Sequence, residues 1–86
     1  MNTALTAQIL KLLTEVAPDV DANSVAPAID FREQFDFDSM DTLHFAIALN
    51  KEFGIEIPEL DYRQLRSLDG CTAYVERATA ERAPKA

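Results

Sequence analysis

Only one stretch of this chain alternates like a β-strand, Ile55-Glu56-Ile57-Pro58. A strand needs a neighbour for its backbone hydrogen bonds, and no second alternating run supplies one. The stretch therefore reads as an extended connector that tucks its isoleucines inward, and the fold has to be built from helices. Leu5, Ile9, Leu12, Leu13 and Val16 recur at helical spacing and predict a first helix over Thr3–Val16. Asn2 or Thr3 can cap it, and Pro18 stops the chain soon afterwards. A second helix reads from Ser39 to Phe53, with Asp38 or Ser39 as cap and Gly54 where a C-terminal cap belongs. Pro58 suits the first turn of a short helix over Glu59–Leu65, with Leu60, Tyr62 and Leu65 as apolar contacts. Ser67 can cap a last helix from Leu68 to Glu81, with Leu68, Cys71, Thr72, Val75 and Ala78 as its inner stripe. Gly70 is expected to cost that helix up to ~1 kcal/mol relative to alanine.

Residues 18–37 break the periodicity with Pro18, Asn23, Ser24 and Pro27. Val20, Val25, Ile29, Phe31 and Phe35 recur there and predict an ordered loop pinned to the core. The expected architecture is an all-α bundle of three main helices plus one short helix, with this long ordered loop between the first two. One domain is expected over residues 1–82, followed by a frayed tail at 83–86.

The 86 residues suffice for one small core, and a deep pocket for a large cofactor plus a substrate is not expected. No apolar run reaches the ~20 residues of a membrane span and the N-terminus lacks a signal pattern, so membrane insertion is not expected and a cytoplasmic location is. The single cysteine, Cys71, can form no internal disulfide, and its place on an inner stripe marks it as a small core residue. The net charge of −7 argues against nucleic acid as a partner. Residues 30–61 hold nine acids and only two bases, Arg32 and Lys51, so the whole excess sits in the middle third. Such a run is either a solvated surface or a face that attracts basic partners.

At 100° per residue, the second helix has two apolar faces. Phe45, Leu49 and Phe53 fall on one side, the better core face because it carries two aromatics. Met40, Leu43 and Ile47 fall on nearly the opposite side, with His44 beside them. A surface helix needs one apolar face, so the second is a contact site unless the phenylalanine-rich loop covers it.

Asp38-Ser39-Met40 opens this helix. Alone, an Asp-Ser pair is an ordinary cap. In its setting it carries more: a helix, a long anchored loop, Asp38-Ser39-Met40-Asp41-Thr42-Leu43, then Glu52-Phe53-Gly54-Ile55-Glu56-Ile57-Pro58 and a last helix bearing Tyr74. This arrangement resembles the acyl carrier protein family over nearly the whole chain, most specifically over residues 38–58. The resemblance implies an acyl-carrier-like bundle and a serine that receives 4′-phosphopantetheine from coenzyme A through a phosphopantetheinyl transferase. Carried over, Ser39 is the attachment site, Asp38 the motif acid and helix cap, and Met40 stands in the family's leucine position. It implies a non-enzymatic carrier of thioester-bound acyl groups for fatty-acid, polyketide or related lipid synthesis, working as a monomer. Acyl-transferring and condensing enzymes with basic docking sites would meet Met40, Asp41, Leu43, His44, Ile47 and Lys51.

A phosphodiester on Ser39 would sit at a helix N-terminus, which favours an anion. Ser39 has no adjacent histidine or lysine to activate it, and His44 lies ~140° away around the helix, so the serine reads as another enzyme's substrate. The chain departs from the family at Phe35-Asp36-Phe37, where Leu-Gly-Ala or Leu-Gly-Gly is common, and at His44, Asn50 and Lys51, where acids are common. These departures point to a specialised free-standing carrier.

Three other readings fit parts of the sequence. Asp19, Asp21, Asn23 and Asp30 match positions of a calcium loop, but Ser24 and Pro27 break that frame. An unmodified helical adaptor would share the docking face without the arm. A peptidyl carrier of non-ribosomal synthesis would share the arm. With one histidine, one cysteine and no glycine-rich phosphate loop, an enzyme is not expected.

Overall fold

The computed structural model describes residues 3–81 and is all-helical over them, with no strand among the described residues. Helix α1 runs Thr3–Val16, α3 runs Ser39–Phe53 and α4 runs Leu68–Glu81. The short helix expected after Pro58 is a 3-10 helix, η2, over Glu59–Leu65. These are the three main helices and the short one that the periodicity predicts. The tail at 83–86 and the cap at Asn2 lie outside the described residues.

The loop at 18–37 contains two short helical segments that periodicity could not show, a 3-10 turn at Ala22–Ser24 (η1) and a four-residue helix, α2, at Phe31–Gln34. Gln34 organises the loop around itself. Its side-chain oxygen accepts from the Ala26 N–H at 2.8 Å, and its nitrogen donates to the carbonyls of Ala26 at 2.9 Å and Ile29 at 2.8 Å. Backbone bonds then fasten the loop to the other end of the chain: Phe31 N–H donates to the Arg66 carbonyl at 2.6 Å, and Asp69 N–H to the Pro27 carbonyl at 3.0 Å. Arg66 also pairs with Asp30 at 3.4 Å.

α1 packs on α3 and α4, and η2 packs on α4 and α3. The core joins Ile9 and Leu13 of α1 to Phe45 and Leu49 of α3 and to Cys71 and Val75 of α4, all fully buried. Phe31 and Phe37 enter it from the loop and meet Phe45, with ring centroids 5.3–6.2 Å apart. Ile55 is buried beside them and Ile57 half-buried, as the inward-tucked connector requires. Gly54 adopts φ 64°, the left-handed conformation that ends α3 at small steric cost only for glycine.

Four expectations are corrected. Ile29 and Leu60 are exposed and do not anchor their segments. Phe53 is half-buried, because it stands at the last turn of α3 where the core ends. Tyr74, absent from the predicted inner stripe, is buried, and its hydroxyl donates to Asp61 at 2.7 Å, joining α4 to η2. Gly70 is no mere weak point. A Cβ there would lie 2.5 Å from the Gln64 carbonyl oxygen and 3.1 Å from the Ser67 hydroxyl, so close approach of η2 and α4 demands glycine. Ser67 caps α4 as expected, accepting from the Gly70 N–H at 3.0 Å.

Candidate functional site

The start of α3 is fixed by a reciprocal capping box. The Asp38 carboxylate accepts from the Asp41 N–H at 2.9 Å, and the Asp41 carboxylate accepts from the Asp38 N–H at 3.1 Å. Two further bonds reach the Asp38 carbonyl, from the Thr42 N–H at 3.0 Å and the Thr42 hydroxyl at 3.2 Å. Asp38 is therefore the cap, and Ser39, the first helical residue, is released from that duty. Ser39 is exposed, and its hydroxyl has no hydrogen-bond partner among the described residues. The N–H groups of Ser39 and Met40 lie in the first turn, where no intrahelical acceptor exists. They stand ready for an anion attached at this position.

Beside Ser39 opens a groove of ≈ 730 Å³, lined by α3 together with α2 and η2. Ser39, Met40, Thr42 and Leu43 come from α3. Phe31, Phe37 and Tyr62 add apolar surface. Phe37 is the bulky residue next to the serine, yet it is buried against Phe31 and Phe45 and leaves the hydroxyl open. Asp36 has no positive φ, so the turn before Ser39 is built without the glycine conformation.

The second apolar face of α3 is left open, as its sequence implies. Met40 is 55 % and Ile47 46 % exposed, because the loop phenylalanines turn into the core and do not cover them. His44 and Lys51 are exposed on the same helix. Leu43 is half-buried and lines the groove, and Asp41 is held in the capping box. The structure thus brings Ser39, Met40 and Leu43 together at the groove and leaves His44, Ile47 and Lys51 outside it. The sequence reading missed Arg32, Arg63 and Arg66, which line the groove as well. The three-residue spacing of Arg63 and Arg66 suits one side of a 3-10 turn, but only the folded loop brings Arg32 to them.

Two of the three carboxylates of the calcium-loop pattern have other work. Asp21 caps η1, accepting from Asn23 N–H at 3.0 Å and the Ser24 hydroxyl at 3.1 Å, and Asp30 caps α2 and pairs with Arg66. Among the described residues no cluster of three or more potential metal ligands is assembled. Burial pushes the Cys71 thiol far above its ordinary range, and it donates to the Leu65 carbonyl at 3.4 Å.

An exposed, partnerless serine at a capped helix start, next to a groove, fits the attachment point of a flexible prosthetic arm. The family described as "Phosphopantetheine attachment site" matches residues 7–75, and the chain belongs to it. It is similar to an acyl carrier protein of Rubrobacter xylanophilus, 32 % identical over 77 residues that span 85 % of this chain and 95 % of the relative. An acyl carrier protein of Thermosynechococcus vestitus is 28 % identical over 80 residues, 93 % of this chain and 99 % of that one. Polyketide-8 synthase acyl carrier protein 2 of Streptomyces avermitilis is 34 % identical over 69 residues, 80 % and 79 % of the two chains. The resemblance to acyl carriers is therefore upheld, and with it a carrier function and a covalent 4′-phosphopantetheine. Proteins of this family are modified by a phosphopantetheinyl transferase and work with synthase enzymes.

Proposed function

We propose that Ser39 is the residue that carries the 4′-phosphopantetheine, and that the chain presents acyl groups on this arm to enzymes that dock on α3. The observation that carries the reading is the division of labour at the helix start. Asp38 caps the helix, so the Ser39 hydroxyl is exposed and has no partner among the described residues. The N–H groups of Ser39 and Met40 would take the phosphodiester, and the apolar walls of the groove would shelter what the arm holds. When bound, the arm supplies a thiol that holds acyl groups as thioesters. Among the described residues no base bonds to the Ser39 hydroxyl, so in this reading the transfer chemistry belongs to the transferase and the chain acts without catalytic residues.

The docking face in this proposal is Met40, His44, Ile47 and Lys51, all exposed along α3. Asp41 and Leu43 serve it indirectly, through the capping box and the groove. Acidic residues around this face would steer a basic partner surface. A free thiol on the arm calls for a reducing compartment, so the cytoplasm is the proposed setting, with the carrier working as a monomer. Fatty-acid, polyketide or related lipid synthesis is the proposed context, with His44 and Lys51 as the marks of a specialised partner. Intact mass after incubation with coenzyme A and a broad-specificity transferase tests the assignment. Wild type should gain one phosphopantetheine and Ser39→Ala none, while modification of the alanine variant would place the arm elsewhere.

A further inference from the structure

The whole sequence has eight lysines and arginines, and three of them, Arg32, Arg63 and Arg66, line the one groove that Ser39 also lines. Arg32 lies within the acidic segment 30–61, and Arg63 and Arg66 follow directly after it. The groove's own acids are Asp30 and Glu59. Asp30 is already engaged, by Arg66 at 3.4 Å and by the Arg32 backbone N–H at 2.8 Å. The guanidinium groups of Arg32 and Arg63 have no hydrogen-bond or carboxylate partner among the described residues. Cations gathered at one cleft repel one another until an anion joins them. A guanidinium fork is matched in shape to a carboxylate, which it grips with two parallel hydrogen bonds.

The groove also offers apolar surface, from Phe31, Phe37, Met40, Leu43 and Tyr62. A ligand with methylenes and a terminal anion would satisfy both kinds of lining. A plain alkyl chain would use only the first. A basic docking partner would be repelled by the arginines, so they do not serve that contact. The phosphate of the arm has its own donors in the first turn of α3, whereas the arginines belong to α2, η2 and the residue after η2.

We infer that the groove selects acyl cargo ending in a carboxylate, whose acid group Arg32 and Arg63 hold while the apolar lining takes its methylenes. The inference rests on Ser39 being the attachment point and adds the cargo class to that reading.

The test uses protein loaded by a transferase from butyryl- and succinyl-coenzyme A, each 13C-labelled at its terminal carbon. Intact mass first establishes loading on Ser39. Arginine side-chain NMR is then read near neutral pH. Succinyl cargo should shift the Arg32 and Arg63 Nε–Hε signals and slow their exchange with water by roughly 3–10-fold relative to butyryl cargo. The succinyl carboxylate signal should differ from that of free succinyl-pantetheine, and the double variant Arg32→Gln/Arg63→Gln should abolish the difference. Both arginines are exposed, so the variant should keep the wild-type circular dichroism. Identical arginine signals with the two cargoes would overturn the inference. So would a 31P shift on substitution that is equal for both cargoes with an unmoved carboxylate signal, which would assign the arginines to the arm's phosphate. Failure to load Ser39 at all would overturn the carrier assignment itself, and the inference with it.

Discussion

Phe45→Ala would open a void where three aromatic rings meet. The ring is fully buried and stands edge-on to Phe31 at 6.0 Å and to Phe37 at 6.2 Å. Loss of a buried phenylalanine costs ~3–5 kcal/mol in transfer and cavity terms. Two edge-to-face contacts, each worth ~0.5–1.5 kcal/mol beyond burial, place this site at the upper end, ~4–5 kcal/mol. A domain of this length has a total stability of roughly 4–13 kcal/mol, so the variant should be marginal or unfolded at 25 °C. Urea unfolding followed by far-UV circular dichroism measures the change, and an unchanged m-value shows that stability alone was altered. Ile47→Ala is the control. Its side chain is 46 % exposed on the opposite face of α3 and should cost less than ~1 kcal/mol. Phe53→Ala should fall between them, ~1.5–3 kcal/mol, because that ring is only half-buried. A cost below ~1.5 kcal/mol for Phe45→Ala, or a larger one for Ile47→Ala, would show that the core and docking faces of α3 are interchanged.

Gly70→Ala should destabilise by ~1–3 kcal/mol in thermal melts despite alanine's better helix propensity, because its Cβ meets a backbone carbonyl at 2.5 Å; a higher melting temperature would refute the close approach. Cys71 should resist alkylation in the native protein at neutral pH and react once denaturant unfolds it, and rapid native labelling would contradict its burial. Its raised pKa also fixes a sign: the unfolded thiol ionises above ~8.5 while the folded one stays neutral, so its contribution is complete below that pH and declines above it. Cys71→Ala should remove that part of the alkaline loss of stability. His44→Glu should leave fold and Ser39 modification intact and raise turnover by a generic fatty-acid malonyl transferase or ketosynthase roughly 2–5-fold at fixed salt. Equal turnover would make His44 plain surface and direct attention to Phe35-Asp36-Phe37.

What could be read from the sequence was what local physics determines. Helix α3 has a side-chain cap, fifteen residues with two distinct apolar faces and a glycine stop, and each of these signals acts within a few residues. The place of Ser39 at the helix start was legible for the same reason, whereas the role proposed for it came from the resemblance to acyl carriers. The loop was not. Its short helix and its fastening depend on Gln34 reaching back to Ala26 and Ile29, and on Phe31 and Pro27 meeting Arg66 and Asp69 more than thirty residues away. The arginine-lined groove depends on that same fastening. Leu60 and Ile29 misled because an apolar residue in a short segment has no periodicity to say which way it faces, and Gly70 misled because propensity counts a helix alone and not its neighbour.

The central claim is that one serine carries the arm, and peptide-level mass spectrometry after transferase treatment tests it most directly. Cleavage after Arg32 and Lys51 releases residues 33–51, a fragment in which Ser39 is the only serine. That fragment should carry one phosphopantetheine, with fragment ions placing it on Ser39, and the intact modified protein should show one reactive thiol when native and two once unfolding exposes Cys71. An unmodified 33–51 fragment, or the same mass found on the peptide holding Ser24 or Ser67, would contradict the account.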